Sequence, residues 1–453
     1  MKKIFFLIII LIINKIFSII YFDIFPTINN LSSNNLNKIT FYNFYIEQNN
    51  LLTYINIGTP LQKIPIFIKF NFLPFVIPDI SIQGIYNNSL SQTYNFIKQE
   101  NEFTVYYPKV NISSEKFYFN QFNNDSKIQS NDNFSFALGI SYDFEFGYFP
   151  GCLGLKVAES NYYEQSNFII QLKKQNIINK YAFYLDFNNN NENNNFGKLI
   201  IGAYPHELDK KYNEKNLFVS NICLEKKYLY EWNLIFNSIH INDKKIEDEI
   251  DIIFRPDYGG FLTNEDFYNY IFKSYFEIYF NSNICFIENI KGKEIFYFIC
   301  HKNKINIKNF PTIYFYNKNF NFKFFLDFND LFVEFNEFLC FNVFFQKGFG
   351  KKSWTLGLPF FKKYLFVFDY DKKIVGFYNE NLNSINKQYF TKFVKIIIII
   401  ILLLIIIFLI MIIYKKYFKN SFYAKNNNNK FNEIGEEIKN LSDLELKYKK
   451  IEN

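Results

Sequence analysis

Residues 396–413 read IIIIIILLLIIIFLIMII, and their side chains offer no hydrogen-bonding group beyond the Met411 thioether. A backbone can cross hydrocarbon in such a run only as a helix, which pairs its N–H and C=O groups internally. The sequence therefore predicts a transmembrane helix over 393–414. Residues 1–18, MKKIFFLIIILIINKIFS, carry Lys2 and Lys3, then an apolar core, then Ser18. This is the pattern of a secretory signal peptide, with an uncleaved anchor as the competing reading. Lysines flank the predicted span on both sides, at 387, 392 and 395 and at 415, 416 and 419, so their count does not orient it. The leader does: residues 19–390 are expected in the lumen or outside the cell, and 415–453 in the cytosol. The expected product is a single-pass type I protein of the secretory pathway, destined for endolysosomes or the cell surface.

Composition narrows the classes. Hydrophobic residues make up 49% and aromatics 22% of 453 residues, ample for two lobes. The net charge of +7 is spread along the chain with no Lys/Arg-rich block, so no nucleic-acid partner is expected. Five cysteines, all before the predicted span, fit an oxidising compartment, and the odd count leaves at least one thiol unpaired. Sequons begin at Asn30, Asn87, Asn111, Asn124 and Asn133, making a glycoprotein an expectation that Asn-richness weakens. His206, His240 and His301 are scattered without ligand spacing, so neither metal nor cofactor is expected.

Between leader and span the pattern is β. Residues 19–49 are polar and Asn-rich and read as a loose leader. Leu51 to Ile57 alternates into Gly58-Thr59-Pro60, and Ile64 to Ile68 returns, which is a hairpin. Near the other end, Phe366-Val367-Phe368 turns at Asp369-Tyr370-Asp371 into Ile374 to Tyr378, a second hairpin. Short strands dominate between them, with helical spacing in Phe168 to Ile178. An internal repeat is present: Cys152-Leu153-Gly154 mirrors Thr355-Leu356-Gly357, and Gly lets two backbones pass closely.

These motifs, taken together over about residues 50–380, resemble the pepsin-like aspartic proteases. Leu51 to Gln62 is similar to that family's Y-x-x-x-I-x-I-G-T-P-x-Q opening, with Gln62 in place. Phe149 to Leu155 resembles its F-D-G-I-L-G-L, and Trp354 to Phe377 its closing W-x-L-G…F-D…G-F. The resemblance implies an all-β, bilobal double barrel with an interlobe cleft, with lobes at 50–203 and 204–385. It also implies a disulfide between Cys300 and Cys340, which bracket a Phe-Pro-Thr-Ile segment; the pairing of Cys152, Cys223 and Cys285 stays open.

The family's chemistry needs two carboxylates sharing one proton, each in an Asp-Thr/Ser-Gly turn. Counting from Gly58-Thr59-Pro60 places Lys69-Phe70-Asn71 on the first turn. In the second lobe the direct register puts Arg255-Pro256-Asp257 there, and a shift by two puts Asp257-Tyr258-Gly259. Either way no pair of carboxylates exists. Tyr107 stands at the position of the family's flap tyrosine, with Pro108-Lys109-Val110 in place of a Gly-rich tip. Phe70, Asn71, Tyr107, Tyr258 and Gly259 are the expected cleft residues, and Lys69 is expected to meet Asp257.

Three functions are thus weighed. The leading one is a catalytically inactive member binding peptide or protein ligands in the cleft. The second is an active aspartic endopeptidase, as the family implies; the third is a structural surface glycoprotein. In the tail, Glu433 to Lys450 has helical apolar spacing, and Tyr448-Lys449-Lys450-Ile451 resembles a sorting signal for a cytosolic adaptor.

Overall fold

A computed structural model describes residues 19–25, 51–71, 75–82, 85–101, 109–121, 124–140, 151–157, 167–187, 196–223, 231–290, 294–350, 352–379, 398–415, 435–439 and 442. Contacts divide the chain into a unit ending at Asn379 and a second covering residues 380–453. In the second unit, Ile398–Lys415 is one apolar helix long enough to cross a membrane, and residues 435–439 are helical. The signal-peptide reading and Tyr448 lie outside the described residues.

The first unit is built from two sheets, of 15 and 11 described strands. The repeat seen in the sequence is a repeat of topology. In the first half, strand Gln62–Lys69 runs parallel to Cys152–Gly154, with Lys69 opposite Gly154. Cys152–Gly154 is antiparallel to Val76–Pro78, which runs parallel to Phe134–Gly139. In the second half, Lys244–Phe254 runs parallel to Ser353–Leu356, with Phe254 opposite Leu356. Ser353–Leu356 is antiparallel to Phe261–Thr263, which runs parallel to Val343–Gln346. Parallel pairs that lack a connecting helix are uncommon in β proteins, and finding the same set twice makes the two halves structurally equivalent.

The first sheet crosses the expected lobe boundary. Leu217–Asn221, Phe366–Asp369 and Ile374–Tyr378 lie in it beside Ala182–Asp186 and Gly197–Ile201. The closing hairpin of the sequence therefore ties the end of the second half to the first. Its core is aromatic: Phe254 packs on Phe360, Phe361, Phe366 and Phe368 with ring centroids 5.1–6.4 Å apart. Such pairs add roughly 0.5–1.5 kcal/mol each beyond the area they bury.

Two expectations are corrected here. Residues 20–24 are not loose leader. Ile20, Phe22 and Ile24 are buried at alternate positions of a strand held between Gly197–Ile201 and Phe117–Gln121. Alternating apolar residues decide this locally, and the Asn-rich neighbourhood hides them. Lys109 and Val110 are not a hairpin tip, because they pair with Asn101 and Glu100 inside the ladder. Tyr107 and Pro108 lie outside the described residues.

The disulfide is a third correction. Cys300 bonds Cys285, with Cα atoms 4.0 Å apart, and Cys340 is a free buried thiol. The register explains it. Cys285 and Cys300 are direct cross-strand partners, so their side chains share one face. Cys300 pairs Leu339, and Cys340 pairs Ile299, so Cys340 points to the opposite face, among Tyr297 and Phe344. Peptide mapping without reductant is expected to yield a linked Cys285–Cys300 peptide and alkylation of Cys340 only after unfolding. Replacing both Cys285 and Cys300 with Ala should cost about 3 kcal/mol. Recovery of a Cys300–Cys340 peptide instead would refute this register.

Candidate functional site

The repeat fixes which residues are equivalent at the junction of the halves. Gly154 lies opposite Lys69, and Gly357 follows Leu356, the partner of Phe254, so it stands level with Arg255. The Leu155 N–H donates to the Lys69 carbonyl at 2.7 Å, and the Arg255 N–H donates to the Leu356 carbonyl at 2.9 Å. Lys69 and Arg255 are thus counterparts, and Asp257 sits two residues past the equivalent point. This favours the direct register over the shift by two. After Arg255 the chain turns tightly, the Tyr258 N–H donating to the Arg255 carbonyl at 2.8 Å. Gly357 is required beside that turn: a Cβ there would stand 1.9 Å from the Gly260 carbonyl oxygen and 2.4 Å from that of Tyr258.

The strand Gln62–Lys69 buries Ile64, Ile66 and Ile68 and turns Lys69 to the other face by alternation. Its ammonium lies 3.9 Å from Asp257 Oδ2. Arg255 grips the same carboxylate from both sides, Nε donating to Oδ1 at 2.9 Å and Nη2 to Oδ2 at 3.0 Å. The Asp257 side chain has no exposed surface, while Lys69 and Arg255 keep 15% and 21% of theirs. Lys69 also stands 5.5 Å over the Phe67 ring. The expected contact between Lys69 and Asp257 is present.

The electrostatics follow from this geometry. Burial pushes the Asp257 carboxyl up, but the charges of Arg255 and Lys69 outweigh it and hold the group below the usual range. Burial pulls Arg255 down, and Asp257 more than restores it. The carboxylate is therefore ionised, with both oxygens occupied, and is a poor base for activating water. The Cys152 thiol lies in the adjoining strand. Burial holds it neutral, well above its usual range, with Lys69 opposing, so it is no nucleophile. Burial also lowers Lys156, with Glu231 opposing and Arg255 adding to the depression.

The other expected site residues divide. Phe70 is not a cleft residue. It is 1% exposed and packs edge-on against Phe183 and Phe368 at 5.8 and 5.2 Å. A benzyl side chain at that point finds more apolar surface inward than outward, which corrects the reading. Asn71 is exposed, Gly259 is buried, and Tyr258 is half-buried against the Phe344 ring at 6.2 Å. His206 bonds the Tyr378 hydroxyl and His240 that of Ser238, while His301 lies beside Phe338. Among the described residues, no three His, Cys, Asp or Glu side chains are arranged to hold a metal ion.

Sequence reasoning missed Lys156 and Trp232 as neighbours of this site. The Trp232 indole N–H donates to the Leu155 carbonyl at 2.7 Å, and its ring packs on Phe183 and Phe368. The signal available for Lys156 was its place directly after the matched segment Phe149 to Leu155.

Comparison with known proteins agrees with this architecture. The sequence model of the eukaryotic aspartyl protease family matches residues 52–379. No curated protein matches the sequence. Among solved structures, the chain is similar to the crystal structure of basic 7S globulin from soybean. The TM-score is 0.54 at 12% identity, over 80% of this chain and 97% of that one. At that identity the likeness bears on the fold alone.

Proposed function

The chain belongs to the eukaryotic aspartyl protease family, and we propose that it is a membrane-anchored member that binds peptide or protein ligands between its lobes without cleaving them. One observation carries the reading. Where the family's mechanism needs two carboxylates sharing a proton, this chain places Lys69 and Arg255 around a single Asp257. An acid held ionised by two cations has no proton to donate to a peptide carbonyl and little affinity for one taken from water. The two equivalent parallel strand pairs bring Lys69, Arg255 and Asp257 together where the halves meet.

The apolar helix Ile398–Lys415 and the disulfide are consistent with a secretory membrane protein. Type I orientation, delivery to endolysosomes or the cell surface, and adaptor binding at Tyr448 belong to the same proposal. The test is capture of a photo-crosslinking peptide library by the full chain in detergent, followed by mass spectrometry of the peptides. Saturable capture of intact peptides near Asn71 and Tyr258 is expected. Capture only of cleaved products, or none, would remove the reading.

A further inference from the structure

The sequons of this Asn-rich chain are set apart by their surroundings. Asn30 and the Asn124 side chain lie outside the described residues. Behind Asn111, Ile112 and Ser113 are buried in a strand paired on both sides, and the Ser113 hydroxyl meets that of Tyr94 at 2.9 Å. Behind Asn133, Phe134 has no exposed surface, and the Asn133 amide donates to the Thr93 carbonyl at 3.3 Å. Asn87 differs. It caps the short turn Asn88–Leu90, in which Ser89 is exposed. Its backbone N–H donates to Gln62 Oε1 and its carbonyl accepts from Gln62 Nε2, both at 2.9 Å. Its side-chain Oδ1 accepts from the Ser89 N–H at 3.1 Å and from the Ser89 hydroxyl at 2.7 Å. A backbone N–H can only donate, so the amide oxygen is the atom that faces Ser89 and Nδ2 faces away. Among the described residues no hydrogen bond engages Nδ2. The same turn carries apolar side chains in water: Ile80 and Ile85 keep 51% of their surface and Leu90 59%. The Ile80 N–H donates to the Tyr86 carbonyl at 2.9 Å, which holds these residues beside Asn87.

We infer that Asn87 carries an N-linked glycan, attached at Nδ2 and lying over Ile80, Ile85 and Leu90. This rests on the lumenal placement proposed above and names a modification site within it. In the transfer, Nδ2 forms a bond to the anomeric carbon of an oligosaccharide linked to a lipid diphosphate. The bond from that carbon to the diphosphate oxygen breaks, its electron pair leaves with the lipid diphosphate, and Nδ2 gives up one of its two protons. Oδ1 and the backbone take no part, so both bonds to Ser89 and both bonds to Gln62 survive the modification. At Asn133 the same attachment would instead crowd the bond to Thr93. A hydrated oligosaccharide at Asn87 also shields exposed apolar surface that would otherwise favour association.

The experiment produces the full chain, with its own leader, in a eukaryotic secretory cell line and purifies it in detergent. Peptide N-glycosidase in heavy-oxygen water converts each glycosylated Asn to a heavy-labelled Asp, which mass spectrometry of the peptides locates. A sample without the glycosidase corrects for spontaneous deamidation. Heavy Asp is expected at position 87 in most molecules. Ser89→Ala keeps Asn87 and its backbone bonds to Gln62, and should lose the label at 87 and migrate faster on a gel by one glycan. Label at 87 that survives Ser89→Ala would overturn the inference. An unlabelled Asn87 with label at any other sequon would overturn the site and leave the lumenal placement standing. No label at any sequon would overturn both.

Discussion

Arg255→Met is expected to destabilise the folded unit by about 3–5 kcal/mol at neutral pH, read from chemical denaturation. The change leaves the Asp257 carboxylate with no exposed surface and, among the described residues, Lys69 at 3.9 Å as the remaining cation beside it. A buried ion stripped of its hydrogen-bonding partner costs far more than the pair contributed, because the desolvation remains while the compensation goes. Arg255→Met combined with Asp257→Leu should recover most of the loss, since replacing the whole pair removes both terms. The pH dependence has a definite sign. In the native chain Asp257 titrates below its unfolded value of about 3.9, so its contribution is complete above that value. It is lost only as pH falls through the still lower folded value. In Arg255→Met, burial dominates and raises the carboxyl, so the variant gains relative stability on protonation. The deficit against the native chain should narrow as pH falls from 7 towards 4. A deficit below about 1 kcal/mol at pH 7 would mean that Asp257 does not depend on Arg255.

Restoring two aspartates is expected to fail. Lys69→Asp with Arg255→Asp would place three carboxylates together and remove both cations that hold Asp257. Like charges in a buried site push one another's proton affinities up, and the folded state would have to take up protons or open. A stability loss on the order of 5 kcal/mol is expected, without pepstatin-sensitive cleavage at any acid pH. The turn is also wrong for catalysis. Phe70, next to Lys69, has its ring fixed against Phe183 and Phe368 and no polar group, so it supplies no hydrogen bond to orient an acid. Robust hydrolysis by this double variant would show that the surrounding structure still encodes an active site.

Much of the fold was legible because its motifs depend on backbone demands. Gly58-Thr59-Pro60 makes a turn, and Gly357 sits where a Cβ would collide with two carbonyls, so the backbone itself dictates the residue types there. Lys69 and Asp257 were legible for the same reason: strand alternation and distance from fixed turns place them. The errors arose where position depends on partners distant in sequence. Cys300 has two cysteines near it in space, and only the register of three strands decides that Cys285 shares its face and Cys340 does not. Ile20 to Ile24 becomes a strand because Gly197–Ile201 and Phe117–Gln121 leave a slot for it, and neither is adjacent in the chain. Phe70 looked like a cleft residue by alignment, but the direction of a side chain next to a turn follows the packing that surrounds it.

We propose that the ionised, doubly held Asp257 stands in place of a proton-sharing dyad. The most direct test is incubation of the full native chain in detergent with a quenched-fluorescence peptide library between pH 3 and 6, with and without pepstatin. No cleavage above that of an Asp257→Asn control is expected at any pH. Pepstatin-sensitive cleavage by the native chain that Asp257→Asn abolishes would contradict it.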